Sequence, residues 1–309
     1  MTLAVWYVSV VAILMIWLLA MSCGMWLAWL IQRYRGPAVS PRQAIRPAGR
    51  PAWGAVVVTV LYLSLSLIPR QPVDPQQIDL TRQIVVNVFL FAMLLLPTLA
   101  ARTETGSLAE RGMLFERWNW QIWTGVEGFL WSLAPVAAVL LVTLPLRTEE
   151  RLHPLLRLIK EDPSGSTLLQ AVCVAVILAP LIEELMFRVT LQGLLERYIS
   201  PRVALVGTAA VFAAVHGLPD ALPLVPLALL LGITYRQSRS YLAVATMHAA
   251  FNLFNVTLML AGLQLQQLPP SQDSPLPAWG PVHDWHTPAR APLPTQSRAS
   301  RQTAWDEHD

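Results

Sequence analysis

The chain has 309 residues, of which 54% are hydrophobic and only 13% charged, and its formal net charge is +3. Soluble domains carry about 25% charged residues, and the apolar residues here come in blocks of membrane-spanning length, which excludes an ordinary soluble globular protein. The basic residues are almost all arginines in short loops, with no basic stripe interleaved with aromatics, so they read as a topology signal and exclude a nucleic-acid partner.

Taken in order, the first apolar block covers residues 3–31. It lacks a basic n-region and is longer than the h-region of a signal peptide, so it reads as an uncleaved span. The Leu19-Ala20-Met21-Ser22-Cys23 run is only a poor lipobox look-alike. A Pro/Arg-rich loop follows, with Arg33, Arg35, Arg42, Arg46 and Arg50. The second span is expected over 52–68, ended by Pro69, Pro72 and Pro75, and the third over 84–101. Trp118, Trp120 and Trp123 sit at the end of the next loop, where indoles suit a membrane interface. The fourth span is expected over 126–146, with Glu127 the one ionisable residue near its edge. The charged loop 147–167 is expected to be partly helical along the surface. Four more spans follow, over 168–195, 203–215, 222–235 and 241–263, the fifth leaving the membrane at Glu196-Arg197. The seventh is short and carries Pro223 and Pro226 near its start, where proline is tolerated. Residues 266–309 are rich in Pro, Ser and Gln without apolar periodicity and read as a disordered tail. His283, Asp284, His286, His308 and Asp309 within it read as solvated residues. Cys23 and Cys173 lie in apolar runs and read as small core residues.

The fold class is therefore all-α: a polytopic transmembrane helical bundle of about eight spans with a disordered C-terminal tail. Three regions are expected: 1–150, of about four spans; 151–265, which holds the chemistry; and 266–309, the tail. Arginine counting favours both termini outside, with twelve basic residues in the loops placed inside against nine in the opposite loops and tail.

Within the fifth span, Glu183, Glu184 and Arg188 interrupt a run that is uncharged from Leu168 to Ile182. A charge in hydrocarbon costs roughly 2.5–3.5 kcal/mol or more, so three in six residues demand a partner or a water-filled cavity. Glu184 and Arg188 lie four apart on one helix face, acid before base, and form a natural ion pair. Glu183 is offset by about 100°, so it is left free to act as a general base, its proton affinity raised by burial and by its neighbour. A purely structural ion-pair cluster is the bland alternative. His216 closes the sixth span, with Phe212 one turn earlier on the same face. His248 and Asn252 project together from the eighth span, next to Ala249 and Ala250, whose small side chains permit close helix approach, and Asn255 extends the stripe. Each piece alone also reads as packing or an interhelical hydrogen bond. Together, a carboxylate base, two imidazoles and a carboxamide donor are what water-mediated amide hydrolysis requires. Zinc is the competing chemistry, with Glu183, His216 and His248 as a three-ligand site with an open fourth position, although no His-Glu-x-x-His helix is present.

In this order, Glu183-Glu184-x-x-x-Arg188, Phe212-x-x-x-His216 and His248-x-x-x-Asn252 resemble the three motifs of the CAAX protease and bacteriocin-processing (CPBP, or Abi) family of intramembrane endopeptidases. The resemblance covers residues 168–262. It implies a helical bundle with the site inside. It also implies that Glu183 and His216 activate the water, that His248 and Asn252 form the oxyanion hole, and that Glu184 and Arg188 support them. The family has been described both as metalloproteases and as glutamate-dependent proteases, and the second is favoured here. In the eukaryotic member, prenylated proteins lose their last three residues. Many bacterial relatives have no known prenylated substrate, so a CAAX substrate does not follow.

The resulting expectation is a multi-pass membrane endopeptidase, set in a bacterial cytoplasmic membrane, acting on a protein or peptide substrate, prenylated or not. No cofactor is required beyond the zinc alternative, and the bilayer is the other partner. The rivals are a non-catalytic scaffold or bacteriocin immunity protein of the same fold and, more weakly, a proton-coupled transporter using Glu183 and Glu184 as a relay.

Overall fold

The computed structural model describes residues 3–35, 51–66, 68, 79–101, 108–146, 158–159, 162, 164–217 and 220–266. Arg42, Arg46 and Arg50, the proline stop at 69–75, most of the loop 147–163, and the tail with its His and Asp residues lie outside the described residues. The described residues fall within one compact unit, 1–268.

Eight helices occupy the eight expected places: α1 (Leu3–Arg35), α2 (Trp53–Ser66), α3 (Leu80–Ala100), α4 (Trp118–Thr143), α5 (Gly165–Tyr198), α6 (Pro201–Ala214), α7 (Ala221–Ser238) and α8 (Tyr241–Gln266). Short 3-10 turns at Leu108–Arg111 and Leu144–Leu146 complete the described structure, which contains no strand. Five helices (α1, α3, α4, α5 and α8) are long and apolar enough to cross a membrane by length and composition, while α2 and α6 are shorter apolar helices. This is an integral membrane protein with an all-helical bundle. The outward faces of α1 and α3 carry exposed Trp6, Ile13, Trp17, Val85 and Phe89, which hydrocarbon accepts and water would not.

Local chemistry sets the helix starts. Asp79 caps α3 by accepting from the Arg82 amide, Ser164 caps α5 through the Thr167 amide, and Ser200 caps α6 through the Val203 amide. These caps move the starts of α3, α5 and α6 two to four residues upstream of the first purely apolar position, because hydropathy does not register a polar N-cap. The start of α4 also moves earlier, so Trp118, Trp120 and Trp123 lie on its exposed first turns and not at a loop end. Glu127 is exposed and accepts from the Trp131 indole at 3.4 Å. Cys23 is not a core residue: it is exposed on α1, because α1 buries only a narrow stripe against α4 and α8. Cys173 is half-buried at the beginning of the widened part of α5.

The helix α4 packs on α8, α7 and α1. Gly125 and Gly128 make this approach possible. A Cβ at Gly125 would stand 2.5 Å from the Ala243 carbonyl oxygen, and one at Gly128 2.7 Å from the Met247 sulfur. The helix α5 packs against α2, α3, α6, α7 and α8, so its charged segment is enclosed on all sides by helices.

Candidate active site

The site begins with the winding of α5. It is α-helical over Gly165–Val172, π-helical over Cys173–Leu178, α-helical over Ala179–Glu184, π-helical again over Leu185–Gln192, and α-helical to Tyr198. The two glutamates therefore sit between two widened turns, a feature often found at functional sites. The amides of Ala179 and Gly193 reach back five residues, to the carbonyls of Val174 and Arg188. The Thr190 hydroxyl also donates five residues back, to Leu185, at 2.9 Å.

Proline explains one unexpected partner. In the first π stretch the next amide in the ladder would be that of residue 180, donating to Ala175. Pro180 has no N–H, so the Ala175 carbonyl is left without its helical donor. The Asn252 side-chain amide, from α8, donates to that carbonyl at 2.7 Å. Asn252 is thereby locked to α5 with one amide proton still uncommitted.

The two glutamates separate as helix geometry implies. Glu184 is wholly buried and receives the Arg188 Nε–H at 3.0 Å on Oε2 and the His248 ring at 2.8 Å on Oε1. A carboxylate only accepts, so His248 carries its proton on Nδ1 and turns Nε2 outward. Glu183 retains 21% exposure, and its Oε2 lies 3.8 Å from His248 Nε2. That oxygen is shielded and has no hydrogen-bond partner. The separation is too long for a direct hydrogen bond.

Phe212 forms the wall. Its ring lies 5.0 Å from Phe187, 4.8 Å from His216 and 5.7 Å from His248, and the Arg188 guanidinium carbon stands 5.2 Å from its centroid. His216 is exposed at the end of α6, and its Nδ1–H donates to the Phe212 carbonyl at 2.7 Å. Its Nε2 is then the free acceptor. Tyr241, one heptad before His248, donates its hydroxyl to the Leu181 carbonyl at 2.8 Å and ties α8 to α5 just ahead of Glu183. Asn255 turns away and donates to Phe251 of its own helix.

Among the described residues no three His, Cys, Asp or Glu side chains are arranged to hold a metal ion. Glu183 and His248 approach each other, and the Nδ1–H bond to Phe212 orients the His216 ring and leaves its Nε2 free.

Two buried residues were not foreseen from the sequence. Gln192 and Glu196 continue the four-residue spacing of Glu184 and Arg188, and both are buried. Gln192 donates to Glu196 at 3.0 Å and to the Gly232 carbonyl at 3.2 Å. Glu196 pairs with Arg236 at 3.2 Å and Arg239 at 3.4 Å, both from the end of α7. A cleft of about 410 Å³, partly open to solvent, lies elsewhere on α5; its lining includes Thr98, Arg111, Thr190, Arg197 and Tyr235 and none of the motif residues.

Comparison with curated proteins and with solved structures returned no match. A family model did match, over residues 165–254, the stretch that carries all three motifs. That model describes the family Type II CAAX prenyl endopeptidase Rce1-like, and its match agrees with the CPBP resemblance of the motifs.

Proposed function

We propose that this protein is an intramembrane endopeptidase that hydrolyses a peptide bond of a protein or peptide substrate using water activated by Glu183. The observation that carries this reading is the division of labour between the glutamates. Glu184 is fully engaged by Arg188 and His248, which leaves Glu183 as the uncommitted carboxylate facing His248 Nε2.

In this mechanism a water sits between Glu183 and the Nε2 of His216. Glu183 takes its proton as the oxygen attacks the scissile carbonyl. The oxyanion forms between Nε2 of His248, protonated for the purpose and steadied through Nδ1 by Glu184, and the remaining amide proton of Asn252. Glu183 then delivers that proton to the leaving amine, directly or by way of the Nε2 of His216. Arg188 pairs with Glu184 and orients it, and Phe212 limits the space beside the two imidazoles. The region 151–265 is the catalytic part, with 1–150 as its helical support. The setting is a bacterial cytoplasmic membrane, and the substrate includes prenylated and unprenylated candidates.

The test is cleavage of fluorogenic peptides, prenylated and not, by the detergent-purified protein and by Glu183→Ala and His248→Ala. Cleavage by the wild type, lost in both variants and kept after chelation, is the expected result. Equal cleavage by all three sinks the assignment. Loss on chelation with rescue by zinc replaces the glutamate mechanism with a metal-dependent one.

A further inference from the structure

From the surface end of α7 to the active site runs a chain of polar contacts. Arg236 and Arg239 hold Glu196, Gln192 donates to Glu196, Arg188 holds Glu184, and Glu184 holds His248. The chain has one break, between Arg188 and Gln192. On the two sides of that break are buried atoms with no hydrogen-bond partner: Nη1 and Nη2 of Arg188 and Oε1 of Gln192. A third side chain joins them. Thr208 is wholly buried and its hydroxyl is also unpartnered.

Two of these groups flank one point. The position a Cβ would take on Gly232 lies 2.9 Å from Gln192 Oε1 and 3.7 Å from Arg188 Nη1, and it overlaps the Leu205 Cδ1 methyl. Thr208 is one turn from Leu205 and one turn from Phe212, whose ring lies under the Arg188 guanidinium. Thr208 thus lies on α6 between the two residues that make those contacts.

An isolated buried donor or acceptor carries a desolvation penalty, and buried polar groups in folded proteins are nearly always satisfied by protein or by ordered water. Here donors (guanidinium N–H), an acceptor (carboxamide oxygen) and a group that is both (hydroxyl) converge. An anion would be repelled by the carboxamide oxygen, and a cation by the guanidinium. Water, which donates and accepts, satisfies all three with the two to four polar partners a buried water needs. We propose that Arg188, Gln192 and Thr208 enclose a buried water-binding site, which closes the break and makes Glu196, Gln192, Arg188, Glu184 and His248 one continuous hydrogen-bonded brace. Arginine does not give up its proton, so the brace is not a proton wire. It fixes the plane of the Arg188 guanidinium and, through Glu184, the direction of His248 Nε2. Gln192 and Thr208 are accordingly positioning residues. The water site stands apart from the peptidase reading, and its test uses no substrate.

The experiment compares wild type with the isosteric Thr208→Val in detergent, by thermal unfolding and by radiolytic hydroxyl labelling, which marks side chains beside internal water. A dry, unpaired hydroxyl is a liability, so its removal leaves Tm unchanged or raises it. A water-bonded hydroxyl contributes, so its removal lowers Tm by about 2–4 °C. The expected result is that fall, together with labelling of buried Leu205 in the wild type that is lost in Thr208→Val. An unchanged or raised Tm, or no labelling of Leu205 in the wild type, overturns the proposal.

Discussion

The sharpest expectation concerns the adjacent glutamates, which one methylene-conserving substitution distinguishes. In Glu184→Gln the carboxamide keeps the shape but removes the charge. Arg188 is wholly buried, and among its polar contacts Glu184 is the one carboxylate, at 3.0 Å. Breaking a buried pair by removing one partner leaves an uncompensated charge and costs about 3–5 kcal/mol. At about 2–4 °C per kcal/mol for a fold of this size, Tm falls by roughly 6–20 °C. The amide can also present its N–H to His248, which costs the ring its acceptor. In Glu183→Gln the balance is opposite. Oε2 of Glu183 is shielded and unbonded, so losing its charge relieves desolvation and stability holds or rises. Cleavage by this variant falls by about 10²–10⁴-fold, the usual contribution of a general base. Thermal unfolding and peptide cleavage on the same preparations decide the matter. If Glu183→Gln unfolds as early as Glu184→Gln, or if Glu184→Gln keeps wild-type Tm, the division into brace and base is wrong.

Three further outcomes are expected. Phe212→Ala removes the ring that touches Phe187, His216, His248 and Arg188; thermal or denaturant unfolding will show a loss of about 3–5 kcal/mol. Gly125→Ala forces a methyl to 2.5 Å from the Ala243 carbonyl on α8, and the resulting strain of about 1–3 kcal/mol appears as a lowered Tm; wild-type stability would show that α4 and α8 are free to part. Tyr241→Phe loses the bond to the Leu181 carbonyl, so unfolding comes about 1 kcal/mol more easily and cleavage drops, as α8 is no longer pinned ahead of Glu183.

The helical class, the places of the eight helices and the separation of Glu183 from Glu184 were legible in the sequence because they follow from local rules. Hydropathy finds apolar blocks, and a four-residue spacing finds the Glu184–Arg188 pair. What was not legible depends on partners distant in sequence or on backbone winding. Nothing near Asn252 announces that Pro180 frees the Ala175 carbonyl for it. The environment of Cys23 follows from which face of α1 meets α4 and α8, which an almost uniformly apolar helix does not encode. Glu196 is buried because Arg236 and Arg239 arrive from α7, which its neighbour Arg197 does not announce. The signal that could have revealed it was the unbroken spacing 184, 188, 192, 196.

That spacing also gives the π turns a purpose. In a regular α-helix a step of four overshoots one turn by about 40°, so a stripe from 184 to 196 drifts by about 120°. Glu196 would then face away from the side of α5 that carries Glu184 and Arg188. A turn closed by an i→i+5 bond holds more residues than an α turn, so over Leu185–Gln192 a step of four falls short of a full turn and counters the drift. All four side chains stay on the face toward α6, α7 and α8, where Phe212, Gly232 and His248 await them. The widened winding is thus the backbone's answer to a polar stripe that an ordinary helix would have scattered, part of it toward surfaces with no partner to offer.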